Sequence, residues 1–72
     1  MQELRDSAID ILNRRLALFN DKSNFDEVFT PTIYYHMCFS HVYAYYELGV
    51  INSFEAQNFI DRLNREIATN DL

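Results

Sequence analysis

Residues 30–49 read TPTIYYHMCFSHVYAYYELG, and the rest of the chain is organised around this segment. Thr30 offers a hydroxyl that can cap a helix N-terminus, and Pro31 suits the first helical position, where no backbone N–H is needed. Gly49 is the only glycine among the 72 residues, and it suits the left-handed position that follows a helix. The segment therefore predicts a helix over residues 31–48.

This predicted second helix is apolar on nearly every side, and its only full charge is Glu47. With about 100° of rotation per residue, its apolar side chains divide into two stripes. The first stripe consists of Tyr34, Met37, Cys38, His41, Ala44, Tyr45 and Leu48, and the second of Tyr35, Phe39, Val42 and Tyr46. A helix of this kind requires burial on more than one side. The pattern alone does not decide which stripe faces the internal core.

Two further helices flank the second one. Apolar residues at helical spacing predict an amphipathic helix over residues 2–19 and another over residues 53–69, with Asn52 or Ser53 as the cap of the latter. Residues 20–30 form the longest connection and have room for one helical turn between Ser23 and Phe29. The short link from residue 49 to 53 predicts that helices two and three form an antiparallel hairpin. The chain is thus predicted to be a single all-α, three-helix domain spanning residues 1–72.

The cysteine content and the distribution of apolar residues indicate the cellular compartment of the protein. The chain has one cysteine, Cys38, which excludes an internal disulfide and is typical of a reducing, cytoplasmic environment. No basic start is followed by an apolar run, and no apolar stretch is long enough to span a bilayer. We therefore expect a cytoplasmic protein with neither a leader segment nor a membrane contact.

The charge distribution argues against nucleic acid as a direct partner. Six Lys and Arg against eleven Asp and Glu give a net charge of −5, which is unfavourable for contacts with phosphates. From Ser23 to Asp61 the chain has five acidic residues and no Lys or Arg. An aromatic helix bordered by acids is better suited to a basic protein partner.

Three side chains on the second helix are of types that can bind a metal ion or take part in catalysis: His36, Cys38 and His41. Cys38 and His41 are close enough along a helix to share a metal ion, but two ligands are too few for structural zinc. A Cys–His nucleophile would need an oxyanion hole, which a chain with one glycine is poorly equipped to form. We therefore predict no catalytic residue, no metal site and no cofactor.

The predicted function is a non-enzymatic protein–protein interaction module. The residues expected to contact a partner are Tyr35, Phe39, Val42, Tyr43 and Tyr46. The simplest partner is a second copy, giving a homodimer around a twofold axis. The alternative is a small acidic inhibitor, of the type found in phages and mobile elements, that masks the nucleic-acid-facing surface of a larger basic protein. A compact bundle that buries the second helix completely also remains open.

Overall fold

Three α-helices make up most of residues 2–70, which are the residues that the computed structural model describes. They are α1 (Gln2–Ala17), α2 (Pro31–Glu47) and α3 (Ser53–Asn70), and the all-α, three-helix prediction is confirmed. The predicted end of the first helix at residue 19 falls in a 3₁₀ turn, Leu18–Asn20. Within the described residues, no helix has the length and apolar composition that crossing a bilayer requires.

Side-chain caps start α2 and α3 at the predicted places. The Thr30 hydroxyl accepts the Ile33 N–H at 3.2 Å. Before α3, the Asn52 carboxamide oxygen accepts the Glu55 N–H at 2.8 Å, while the Glu55 carboxylate accepts the Asn52 N–H at 3.0 Å. This reciprocal arrangement is a capping box, and it satisfies two backbone donors that the helix itself leaves unpaired. Glu55 also forms an ion pair with Arg5, which joins the start of α3 to α1.

Replacing Asn52 with alanine should reduce the free energy of unfolding by about 1 kcal/mol, because the cap of α3 would lose its acceptor. Urea denaturation followed by circular dichroism measures this change. An Asn58→Ala variant, on the exposed side of α3, is the control and should stay close to the parent value. An equal loss in both variants would contradict the capping assignment.

The C-terminal end of α2 turns sharply at Gly49, which has a φ of +76°. The Gly49 N–H donates to the Tyr46 carbonyl at 3.0 Å, and the Val50 N–H donates to the Tyr45 carbonyl at 2.9 Å. These two bonds define a Schellman motif, in which glycine takes the left-handed position without a Cβ clash. The turn reverses the chain, and α2 and α3 pack as the predicted hairpin.

The connection between α1 and α2 differs in detail from the prediction. A helical turn is present at Lys22–Asn24, earlier than the expected Ser23–Phe29 segment. The Asp26 carboxylate accepts the N–H groups of Val28 and Phe29 at 2.8 and 2.6 Å, which gives the backbone an alternative to helical bonding. The Phe25 and Phe29 rings stack at 5.8 Å, and each also packs on the Tyr34 ring.

The core takes one side of α2 that combines both predicted stripes. Tyr34 and Cys38 come from the first stripe and Val42 from the second, and all three are buried. They meet residues from α1, from the 3₁₀ turn that follows it, from the α2–α3 connection and from α3. The buried apolar set is Ala8, Leu12, Leu16, Phe19, Tyr34, Cys38, Val42, Val50, Ile51, Ala56, Phe59 and Leu63. Because the inward side lies between the two stripes, α2 leaves an apolar flank on each side of the core.

Candidate interaction surface

A ladder of aromatic rings follows the flank of α2 that borders α3. The centroids of the Tyr35 and Phe39 rings are 6.0 Å apart, and those of Phe39 and Tyr43 are 5.0 Å apart. Tyr46 lies one turn beyond Tyr43 on the same flank. These four residues are the aromatic surface: Tyr35, Phe39, Tyr43 and Tyr46.

Helix α3 holds the two ends of the aromatic surface differently. At the N-terminal end of α2, the Tyr35 hydroxyl donates to the Asn64 carboxamide oxygen at 2.7 Å, which ties this half-buried ring to α3. At the other end, Tyr43 and Tyr46 are 43% and 42% exposed. The aromatic surface is therefore anchored at Tyr35 and Phe39, and it is open to solvent at Tyr43 and Tyr46.

An open cavity of ≈ 200 Å³ lies between α2 and α3, beside the two exposed tyrosines. On the α3 side, the cavity is lined by the apolar side chains of Ala56 and Ile60 and by the polar side chains of Ser53 and Gln57. Helix α2 contributes Val42, Tyr43 and Tyr46. A space of this size, bounded by aromatic rings, has room for an apolar side chain from another molecule.

Four of the five residues predicted to contact a partner form the aromatic surface, and the fifth requires a correction. Val42 is only 1% exposed and belongs to the core, although it also borders the cavity. Val42 lies one turn beyond the buried Cys38 on the inward side of α2, whereas Tyr43 and Tyr46 are exposed. A partner could not surround the Val42 side chain without opening the core, so we remove it from the interface.

The α3 side of the cavity was missed by the sequence analysis. Ser53, Gln57 and Ile60 follow one another at spacings of four and three residues, so they form one edge of α3. Ile60 is half-buried and packs against the core, so it borders both the core and the cavity. The spacing of Ser53, Gln57 and Ile60 could have identified this edge from the sequence. Residues that flank the buried side of one helix in a hairpin lie next to the other helix.

Two carboxylates border the aromatic surface. Glu47 is exposed and lies one turn beyond Tyr43 on α2. Asp61 accepts a hydrogen bond of 3.0 Å from Gln57, which lines the cavity. Within residues 2–70 neither carboxylate has an ion-pair partner. Of the residues that the structure describes, no Lys or Arg lines the cavity. The open end of the aromatic surface is therefore bordered by two carboxylates that form no ion pair within residues 2–70.

The titratable side chains of Tyr34, Cys38 and His41 lie on a different side of α2, which faces α1. Burial raises the pKa of the Cys38 thiol, and burial together with the nearby Arg15 lowers the pKa of His41. Burial also raises the pKa of Tyr34, whose hydroxyl donates to the Arg15 carbonyl at 2.8 Å. At neutral pH each of these three groups is therefore held in its uncharged form.

His36 is separate from this group. It is exposed, and its ring meets the edge of the Tyr35 ring at a centroid distance of 5.3 Å. Among the described residues, no three His, Cys, Asp or Glu side chains gather in a way that could hold a metal ion. His36 thus lies on a different side of α2 from Cys38 and His41.

Comparison with known proteins identifies no relative: no family model, no curated protein and no solved structure matches this chain.

Proposed function

We propose that the protein is a non-enzymatic, cytoplasmic interaction module that self-associates through the aromatic surface, with a dimer as the smallest assembly. The observation that supports this most directly is the exposure of Tyr43 and Tyr46 beside the α2–α3 cavity. Tyrosine is enriched at interface cores, and it is among the residues that contribute most binding energy there.

The arrangement of the rings favours binding at low entropic cost. Phe39 packs between Tyr35 and Tyr43, and Tyr35 is hydrogen-bonded to α3, so part of the aromatic surface is ordered before a partner arrives. Side chains that are already ordered lose little conformational freedom on association. The partner then needs only to cover the exposed rings and to place an apolar side chain in the cavity.

We propose that the protein is not an enzyme because of the burial and the pKa shifts of Cys38 and His41. A nucleophilic cysteine needs a lowered pKa and access to substrate, whereas Cys38 is buried and its pKa is raised. His41 has its pKa lowered by burial and by Arg15, and it lies on the side of α2 opposite the cavity. Neither group is placed to act on a molecule bound at the aromatic surface.

A second candidate function is favoured by one specific observation, the pair of unpaired carboxylates beside the aromatic surface. Glu47 and Asp61 suit a partner that presents a basic surface. In that case the protein is an acidic inhibitor or regulator that covers the basic, nucleic-acid-facing surface of a larger protein. Acid-to-base contacts of this kind weaken steeply with salt, whereas apolar self-association persists or strengthens.

Replacing Tyr46 with alanine is expected to raise the dissociation constant of self-association about 30-fold, which corresponds to about 2 kcal/mol for a hot-spot residue. Light scattering over a concentration series, at low and high salt, measures the molar mass of the parent and the variant. The parent should approach multiples of its 8.6 kDa chain mass, and the variant should remain at that mass over the same range.

Phe54→Ala is the matched control, because Phe54 is 74% exposed and does not line the cavity. It should associate as the parent does. A parent that stays monomeric at every concentration and salt would contradict self-association and leave the inhibitor as the remaining candidate. Equal weakening in the two variants would show that the effect is not specific to the aromatic surface.

A further inference from the structure

Within residues 2–70, two buried side-chain nitrogen atoms have no hydrogen-bond partner, and both belong to the region where α1 meets α2. They are Nε of Arg15, on α1, and Nδ1 of His41, on α2. Buried polar groups are paired in the large majority of cases, and an unpaired one often marks a place of strain or of a specific role. Neither nitrogen belongs to the aromatic surface, so this pair is a separate feature of the fold.

The surroundings of His41 contain a cation and no counter-ion. Burial, and then the positive charge of Arg15, lower the pKa of His41, and the same charge reaches Tyr34 and Cys38 on α2. On α2 itself, Tyr45 is the titratable residue one turn beyond His41. Among the described residues, no carboxylate of α1, of the connection or of α3 acts on His41, and Arg15 forms no ion pair.

Protonation changes what the buried nitrogen of His41 requires. In the neutral ring with its proton on Nε2, Nδ1 is an acceptor, whereas the imidazolium has an N–H on both nitrogens. The protonated ring would thus bury a donor at Nδ1 without an acceptor. It would also place a second positive charge beside the guanidinium of Arg15, which stays charged at every relevant pH. Both consequences disfavour the folded arrangement.

The packing of α1 on α2 is the contact that this repulsion would weaken. The Arg15 carbonyl accepts the Tyr34 hydroxyl at 2.8 Å, and Tyr34 lies two turns before His41 on α2. The Tyr34 ring also packs on that of Phe19, at a centroid distance of 5.1 Å. A charge on His41 therefore acts beside the residues that join α1 to α2 in the core.

We propose that His41 and Arg15 form an acid-sensitive switch, in which protonation of His41 weakens the packing of α1 on α2 and with it the fold. The pKa of His41 is lower in the folded chain than the ordinary value of about 6.5, so the unfolded chain binds the proton more readily. Stability is therefore lost as the pH falls through about 6.5, until the folded ring is protonated as well. Hydrogen bonds lower the pKa of Asp21, Asp26 and Glu55, and these carboxylates lose their contribution only towards about pH 4.

Urea denaturation at about pH 7.5 and about pH 5.5, followed by circular dichroism, tests the switch. The folding equilibrium constant of the parent should fall about 3- to 10-fold between these values, as expected for one proton bound on unfolding. His41→Gln cannot be protonated, so its constant should fall by less than about 1.5-fold. His36→Gln is the matched control: it removes an exposed imidazole, leaves Arg15 and His41 in place, and should fall as the parent does.

Two further measurements hold even if His41→Gln does not fold. Proton NMR follows the His41 ring in the parent, and its titration midpoint should be lower in the folded chain than in urea. Arg15→Met keeps an aliphatic stem and removes the cation, so it should raise that midpoint in the folded chain and reduce the loss at acid pH. A His41 midpoint that is the same in the folded and the unfolded chain would overturn the switch, and so would a His41→Gln variant that loses as much stability as the parent. An acid loss unchanged in Arg15→Met would overturn the part assigned to Arg15.

Discussion

Phe19→Ala should lose about 3–5 kcal/mol of unfolding free energy, the usual cost of deleting a buried phenylalanine ring. Phe19 is 2% exposed, and its ring centroid lies 5.1 Å from that of Tyr34 and 5.8 Å from that of Phe25. It therefore links the end of α1, the connection and the start of α2 in one aromatic cluster. A domain of this size has a total stability of about 4–11 kcal/mol, so the variant should be largely or partly unfolded.

Urea denaturation followed by circular dichroism measures this loss. Phe54→Ala removes the same ring from an exposed position and should change the unfolding free energy by less than about 0.5 kcal/mol. If Phe19→Ala were no less stable than Phe54→Ala, the aromatic cluster could not be part of the core.

Val42→Asp is expected to destabilise the domain by about 4–5 kcal/mol, because it places an unpaired carboxylate in the core. Val42 is the residue that sequence reasoning assigned to the interface and that the structure buries. The two assignments predict different results. A core residue replaced by aspartate unfolds the domain, whereas an interface residue replaced by aspartate dissociates an oligomer and leaves a helical monomer.

Tyr43→Asp provides the matched comparison, since it places the same carboxylate at the next residue, where the side chain is exposed. This variant should keep its helical signal and lose association. Burial also raises the pKa of an aspartate, so Val42→Asp should regain part of its stability as the pH falls through that raised value. A helical Val42→Asp monomer at neutral pH would return Val42 to the interface.

Local signals in the sequence were reliable where one or two residues decide the backbone. Thr30 and Asn52 cap their helices through their own side chains, and Gly49 adopts the positive φ that other residues avoid. These interactions extend over three or four residues, so sequence alone determines them. The connection before α2 was predicted less well, because the Asp26 carboxylate and a helical turn compete for the same N–H groups.

The aromatic surface was predicted in part, for a related reason. The concentration of tyrosines on α2 showed that one helix has more apolar surface than its neighbours can cover, and Tyr43 and Tyr46 are indeed exposed. The position of Val42 depends on how α2 rotates against α1 and α3. On a helix that is apolar nearly all round, its own pattern favours no particular rotation.

Sequence alone therefore determined the helices, their caps and the hairpin, because each depends on contacts between residues close along the chain. Tertiary packing decided which side of α2 is inward, because α2 is apolar nearly all round and its side is selected by the apolar faces of α1 and α3. That rotation buries Tyr34, Cys38 and Val42, and it leaves Tyr43 and Tyr46 exposed. It also brings Tyr34 against α1, where its hydroxyl donates to the Arg15 carbonyl at 2.8 Å, a contact between residues far apart in sequence that no local pattern encodes.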